Sequence, residues 1–432
     1  MKISVIGAGY LGATHAICMA SLGHEVVVVD IDSEKIAQLA GGALPFFEPG
    51  LTELLKKVGE SKSITFTTEI AAISESAIHF LCLGTPQASG QLGADLTTLN
   101  KAFAATIDVA PEGSVVVGKS TVPVGTAERL AAELQESQKS LTLNWNPEFL
   151  REGHAVADTL EPNRIVIGAN QESDTALLSD FYRSVAPNAP QFITNFATAE
   201  LVKVAANAFL ATKISFINAM SEVADVTGAD VSLLADAIGI DDRIGRKFLG
   251  AGIGFGGGCL PKDIRAFLAR ADELGLGDSL QFLREFDLIN QRARTRAVAL
   301  ALKELGDPRG KKVAVLGAAF KPESDDVRDS PALEIAETLA TLGANVVVTD
   351  PRALENAQVK VPDLGYSESI TEALRGADLV MHLTEWSEYR ELDPLEVKKV
   401  VKNPIIFDGR NVLDVESWRK AGWKLLALGR TL

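Results

Sequence analysis

Cys259 stands between a run of glycines and a proline in Gly250-Ala251-Gly252-Ile253-Gly254-Phe255-Gly256-Gly257-Gly258-Cys259-Leu260-Pro261-Lys262-Asp263. Glycine loses more chain entropy on folding than any other residue, so so dense a run points to close backbone approach by a ligand. Pro261 suits the first turn of a helix. Cys259, just ahead of it, would then sit at the positive end of the helix dipole with Lys262 nearby, conditions that favour the thiolate. This makes Cys259 a candidate nucleophile, against the plainer reading of a small buried space-filler. That plainer reading is the expectation for Cys18, on an apolar helical stretch, and Cys82, inside a strand. Asp263 either joins the chemistry or merely complements the dipole.

Lys203 and Asn207 are four residues apart and so share a helix face. An ammonium and a carboxamide there could stabilise an oxyanion as charge develops; the alternative is a solvent-facing Lys203 paired with Glu200. In Asn146-Pro147-Glu148-Phe149-Leu150-Arg151-Glu152-Gly153, a helix would place Glu148 and Glu152 on one face, to activate water or hold ribose hydroxyls, or simply as a charged helix start. Thr85 and Thr121 follow the apolar runs Ile78 to Leu83 and Ser114 to Val117. Ligands gather at the carboxyl ends of parallel strands, so both threonines are placed to touch cofactor or substrate, unless they are helix caps.

The elements that must position these groups begin at the N-terminus. A strand over residues 2 to 6 leads into Gly7-Ala8-Gly9-Tyr10-Leu11-Gly12, a helix to about Leu22, and a second strand, Val26 to Val29, ending in Asp30. Strand, GxGxxG, helix, strand and terminal acid form a dinucleotide-binding unit. The glycines allow a tight turn and close approach of a pyrophosphate to the helix N-terminus. Asp30 would bond the adenosine ribose and repel a 2'-phosphate, which favours NAD over NADP. A fainter echo, Thr341 to Asp350 after a strand at Val313 to Leu316, implies a second such domain, and its loop Gly317-Ala318-Ala319-Phe320-Lys321-Pro322 lacks the glycine fingerprint. Further strands are expected at Leu379 to Leu383 and Ile405 to Asp408. Two helical stretches, Ala199 to Val226 and Asp278 to Leu305, lie between the domains and could form a subunit interface. The expectation is an α/β protein with two Rossmann-like doubly wound parallel-sheet domains joined by a central helical domain, divided as 1–195, 196–300 and 301–432.

Composition narrows the partners. Over 432 residues, 42 Lys and Arg against 57 Asp and Glu give a net charge of -15, which opposes nonspecific binding to nucleic acid or anionic lipid. No apolar run nears the roughly 18 residues of a membrane span, and the start lacks a signal-peptide pattern, so a cytoplasmic protein is expected. Three dispersed cysteines and five scattered histidines suggest neither a disulfide framework nor a metal site.

GAGYLG, KSTVPVGT, NPEFLREG, the Lys203 and Asn207 helix, FGGGCLPKD, AAFK and DGRN occur in this order along the whole chain. In this the sequence resembles the UDP-glucose/GDP-mannose dehydrogenase family. Within it, CLPKD, STVPVGT and the glycine of FLREG are most like members that oxidise the C6 alcohol of UDP-glucose to a carboxylate with two NAD. The resemblance implies an N-terminal NAD domain, a helical dimerisation core giving a homodimer or larger assembly, and a C-terminal UDP-sugar domain. It implies that Cys259 captures the aldehyde as a thiohemiacetal and then carries a thioester, while Lys203 and Asn207 stabilise the oxyanion. Asp263, through water and with Lys203, would support removal of the alcohol proton, and Glu148 and Thr121 would position or activate the hydrolytic water.

For cofactor the same resemblance implies Gly7, Gly9, Leu11, Gly12, Asp30 and Lys35, with Thr85, Thr121, Glu152 and Arg328. For UDP-glucose it adds to Glu148, Lys203, Asn207 and Cys259 the residues Phe149, Leu150, Phe248, Leu249 and Gly256. Lys321, Arg410 and Arg243, the last reaching from a neighbouring subunit, would let an acidic protein hold a diphosphate. Gly250 and Gly258 stand where relatives often carry Lys and Ser; neither change removes a catalytic group. The alternatives are a GDP-mannose or UDP-N-acetylhexosamine 6-dehydrogenase, a two-electron enzyme of the 3-hydroxyacid or 6-phosphogluconate type, and a noncatalytic nucleotide sensor. The C-terminal Rossmann-like repeat argues against the two-electron class.

Overall fold

The computed structural model describes residues 1–430. Short Val- and Ile-rich runs form β1 (Lys2–Ile6), β2 (Glu25–Val29), β3 (Ile64–Thr67), β4 (Ile78–Leu81), β5 (Val115–Gly118), β6 (Thr142–Trp145), β7 (Ile165–Gly168) and β8 (Gln191–Thr194). They make one sheet in the order β3-β2-β1-β4-β5-β6-β7-β8. The central strands β4 and β5 are buried on both faces, which explains why apolar residues dominate them, with His79 the one titratable side chain they enclose. All neighbours run parallel except β6 and β7, which meet antiparallel at Trp145 and Gly168.

A second sheet contains β9 (Lys312–Leu316), β10 (Asn345–Thr349), β11 (Gly365–Tyr366), β12 (Leu379–His382), β13 (Ile405–Asp408) and β14 (Lys424–Ala427). Its order is β11-β10-β9-β12-β13-β14, all parallel. This order matches that of the first six strands of the chain. Each sheet therefore reverses direction between its first and fourth strands, the crevice where open α/β sheets bind ligands. Two doubly wound domains and intervening helices are the architecture expected.

The long helices are Phe196–Thr227 and Gln281–Leu305, with Val231–Gly239 and Leu260–Glu273 between them. The last long helix starts later than expected because Gly277–Leu280 first forms a 3-10 turn. By internal contacts the chain divides into two compact units, residues 1–206 with 265–275 and residues 207–264 with 276–432. Cys82 lies one residue beyond β4 rather than inside it, yet is fully enclosed, and burial pushes its thiol up to about 12. Cys18 is likewise buried on its helix, and its thiol too is pushed up to about 12 by burial.

Candidate functional site

In the first unit, the N-terminal loop shows three separate uses of glycine. A side chain on Gly7, whose φ is +98°, would meet the Cys82 carbonyl at 2.6 Å, and one on Gly12 would reach the Gly7 carbonyl at 1.8 Å. Gly9 has nothing within 4 Å. The first two keep loop and helix in contact, whereas Gly9 leaves an open approach. The helix Tyr10–Ser21 starts there without a side-chain cap, so the N–H groups of its first turn, Leu11 and Gly12 included, face a place suited to phosphate. At the end of β2, Asp30 accepts from Ala8 N–H at 2.7 Å, Asp32 N–H at 3.0 Å and Lys35 Nζ at 3.3 Å. Open glycine, uncapped helix and strand-end acid together fit a dinucleotide.

Thr85 donates to the Thr121 carbonyl at 2.7 Å, tying the loop after β4 to the loop after β5. Neither threonine caps a helix. The helix Thr126–Glu136 is entered through Gly125, and the Glu200 carboxylate accepts the N–H groups of Gly125 and Ala127 at 2.8 and 2.7 Å. Burial holds the Glu200 carboxyl above its ordinary range, though these N–H groups oppose the shift. With Glu200 so engaged, Lys203 does not pair with it in solvent. It is 5% exposed and its Nζ lies 3.0 Å from Glu148 Oε1.

Residues 146 to 153 do not form the expected helix. Leu150 N–H donates to the Glu148 carboxylate at 2.8 Å and Arg151 N–H to Asp158, so side chains take donors that a helical turn would have used. Glu148 and Glu152 therefore share no helix face. Phe149 is half-buried under the Arg164 guanidinium, 3.8 Å from its ring centre. A cavity of about 70 Å³ lies beside this segment, lined by Leu11, Lys119, Glu148, Phe149, Leu150 and Tyr182 among others.

In the second unit, Cys259 is exposed and its carbonyl accepts the Asp263 N–H at 3.0 Å. It thus immediately precedes the helix Leu260–Glu273, whose second residue is Pro261, as the sequence implied. Asp263 is 3% exposed and accepts from Asn207 Nδ2 at 2.7 Å and Lys262 Nζ at 2.5 Å. It is more than a dipole complement, and Lys262 directs its charge at Asp263.

The glycine run also differs from expectation. Side chains on Gly252, Gly256, Gly257 and Gly258 would strike the Gly409 carbonyl, the Asp329 carbonyl, the Phe320 ring and the Arg328 guanidinium, all within 2.8 Å. These glycines are required by the protein's own close packing, and only Gly250 in this run faces open space.

Arg410 donates to the carbonyls of Leu383 at 2.7 Å, Gly254 at 2.9 Å and Phe320 at 3.1 Å. Arg328, 63% exposed at its side chain, forks onto Asp326 in this second unit. Arg243 is 89% exposed and pairs with Asp241. Phe248 is exposed, Leu249 and Gly256 are buried, and Lys321 is half-buried with its Nζ 5.4 Å from the Phe320 ring centre.

The structure thus joins Asp30 with Lys35, Thr85 with Thr121, Lys203 with Glu148, and Asn207 with Asp263. Sequence reasoning missed Glu48, which is 3% exposed and accepts from Tyr10 Oη and from the N–H groups of Gly153 and Ala155, both at 2.7 Å. It pins the glycine loop to the segment following Glu152. An acid within Pro45-Phe46-Phe47-Glu48-Pro49, where no helix can form, was the available signal. Buried Lys119, bonded to Asn146 and Tyr182, was missed as well.

A doubly wound domain with this open glycine cradle defines a dinucleotide-binding protein. Three family models of the UDP-glucose/GDP-mannose dehydrogenases match in succession: the NAD-binding domain over residues 1–186, the central domain over 197–292 and the UDP-binding domain over 314–415. The chain is 42% identical to the UDP-glucose 6-dehydrogenase TuaD of Bacillus subtilis, covering 99% of this chain and 93% of that protein. It is 40% identical to the UDP-glucose 6-dehydrogenase of Rhizobium meliloti, with both chains fully covered. A solved UDP-glucose dehydrogenase from Pyrobaculum islandicum superposes with a TM-score of 0.90 at 37% identity, covering 100% of this chain and 98% of that one. The chain belongs to the UDP-glucose/GDP-mannose dehydrogenase family. Among the described residues no helix is long and apolar enough to cross a membrane, and no group of three His, Cys, Asp or Glu could hold a metal ion.

Proposed function

We propose that this chain is a cytoplasmic UDP-glucose 6-dehydrogenase, which oxidises the sugar C6 alcohol to UDP-glucuronate. The observation that carries this reading is Cys259, exposed at a helix start in the same unit as the bonded Asn207 and Asp263. NAD would be held by Gly7, Gly9, Leu11, Gly12, Asp30 and Lys35, with Thr85, Thr121, Glu152 and Arg328, and would supply the hydride acceptor for each of the two oxidations.

Asp263, through water and with Lys203, takes the alcohol proton in the first oxidation. The Cys259 thiolate then adds to the aldehyde carbon, forming a C–S bond and an alkoxide that Lys203 and Asn207 stabilise. The second oxidation leaves a thioester. Glu148, oriented by Lys203 and assisted by Thr121, directs water onto that carbonyl, the C–S bond breaks and the thiol returns. The balance is one alcohol, two NAD and one water giving one carboxylate, two NADH and three protons.

Phe149, Leu150, Phe248, Leu249 and Gly256 shape the sugar-nucleotide site, and Lys321, Arg410 and Arg243 supply its cations. The exposure of Arg243 supports a contribution across a homodimer or larger assembly. The domains of this chain are 1–195, 196–300 and 301–432, a division supported by the family-model spans 1–186, 197–292 and 314–415.

With UDP-glucose limiting, two NADH should form per sugar; a ratio of one rejects the four-electron reading. The second reading is a different sugar. A solved UDP-D-ManNAc dehydrogenase from Pyrococcus horikoshii shares the fold at a TM-score of 0.87 and 29% identity, so GDP-mannose and UDP-N-acetylhexosamines belong in the same NADH assay.

A further inference from the structure

We propose that Asn290 and Arg294, one turn apart on the helix Gln281–Leu305, are positioning residues that hold the Phe255 backbone N–H and carbonyl and so fix the backbone leading to Cys259. Both are buried, 0% and 2% exposed, on a helix whose other enclosed residues include Ala293, Ala297 and Ala301. Buried polar groups are costly unless their bonds are made, and here the bonds converge on the backbone of one residue, Phe255. Asn290 Oδ1 accepts the Phe255 N–H at 2.8 Å, while its Nδ2 donates to the Phe255 carbonyl at 3.0 Å. Arg294 Nη2 donates to that same carbonyl at 2.9 Å, and its Nη1 is anchored by Glu334.

The contact also explains the glycine before it. A side chain on Gly254 would lie 2.3 Å from Asn290 Oδ1. Beyond Phe255 the backbone makes further contacts. Gly256 is pressed against the Asp329 carbonyl, Gly257 N–H donates to the Arg328 carbonyl at 2.9 Å, and Gly258 N–H donates to Asp326 at 3.3 Å. Successive glycines would otherwise wander, and a misplacement of about 1 Å in a reacting group can cost about 100-fold in rate. Asn290 and Arg294 restrain the upstream end of this tether. The inference rests on Cys259 being the nucleophile.

The test compares wild type with Asn290→Leu, of similar volume but unable to bond either peptide group, Asn290→Asp, which keeps the acceptor, and Arg294→Lys. Expected for Asn290→Leu are faster hydrogen exchange at residues 255–258, an altered rate of Cys259 alkylation by iodoacetamide, and kcat lower by about tenfold or more with the KM for NAD nearly unchanged. Asn290→Asp should fall between Asn290→Leu and wild type. Wild-type exchange, alkylation and kcat in a folded Asn290→Leu would overturn the proposal. Should that variant fail to fold, wild-type behaviour of both Asn290→Asp and Arg294→Lys would do so. Exchange and alkylation report the tether whether or not the thiol is catalytic. Retained acid formation in Cys259→Ala would instead overturn the nucleophile itself.

Discussion

Asp30 and Asp350 end the second strands of two sheets with the same strand order, and each accepts the N–H of the residue after the first glycine, Ala8 and Ala318, at 2.7 Å. Beyond that shared bond the two regions diverge. Asp350 is 5% exposed and also accepts from Ala319, Arg352 and Ala353 N–H and from the Trp386 indole. Asp30 keeps a partly exposed carboxylate beside Lys35. The first loop runs straight into an uncapped helix, whereas in the second the helix Pro331–Thr341 begins only after a long loop and is capped by Ser330. One topology can thus present a dinucleotide cradle or close it, depending on whether local side chains consume the donors and acceptors at the strand ends.

The sharpest way to break this comparison is Gly12→Val. Its side chain would overlap the Gly7 carbonyl, so NAD turnover should fall by about 100-fold or more and the melting temperature should drop. Intact turnover would show that the loop can open without consequence. Next in size, Asp350→Ala should destabilise the protein by about 3 kcal/mol, because it strands several buried donors, yet leave the KM for NAD unchanged in the folded enzyme. A raised KM would mean that the closed fold also serves the dinucleotide. Gly9→Ala should do the converse, weakening NAD binding by about tenfold with no change in melting temperature, since nothing surrounds its missing side chain. Titration of NADH binding and a thermal melt would separate the two.

The last comparison is one of pH. Buried His79 lies between Ser4 and Ser114 in the first sheet, and burial lowers its pKa from the ordinary 6.5 to about 4. Between those values the unfolded chain takes up a proton that the folded one refuses, so His79 should cost the first unit about 2 kcal/mol on going from pH 7 to pH 5, and His15, lowered by burial in the same sense, adds to that loss. In the second sheet, burial raises the Asp408 carboxyl, but bonds from His382 and from the Leu413 and Arg410 N–H groups outweigh it and hold it below the ordinary range. Its stabilisation is present above the unfolded value near 3.8 and is lost only as pH falls through the lower folded value. Hydrogen exchange at pH 5 should therefore increase in residues 1–206 before it increases around β13; the reverse order would contradict these assignments.

Much of the fold was legible because its signals are local. The glycines of residues 7 to 12, the Val runs ending in Asp30 and Asp350, and the Cys259 to Pro261 junction each announce themselves within a few residues. The antiparallel meeting of β6 and β7 has no such signature, since strand direction depends on how the connection returns. The 146–153 segment misled because spacing alone cannot detect the Glu148 and Asp158 carboxylates competing for backbone donors. Asn290 was hidden for a different reason: its partner peptide lies 35 residues away in sequence, and only folding brings the two together. The candidate chemistry was readable as residue types, whereas the pairs Lys203 with Glu148 and Asn207 with Asp263 required the structure.

Trp145, whose enclosed ring fills the space that a side chain on Gly118 would need, is the sole indole in residues 1–206 and 265–275, while Trp386, Trp418 and Trp423 all fall in the other unit. The protein therefore carries its own optical label for the N-terminal half. The difference in emission between wild type and Trp145→Phe would follow that half alone through an acid titration, without any attached dye.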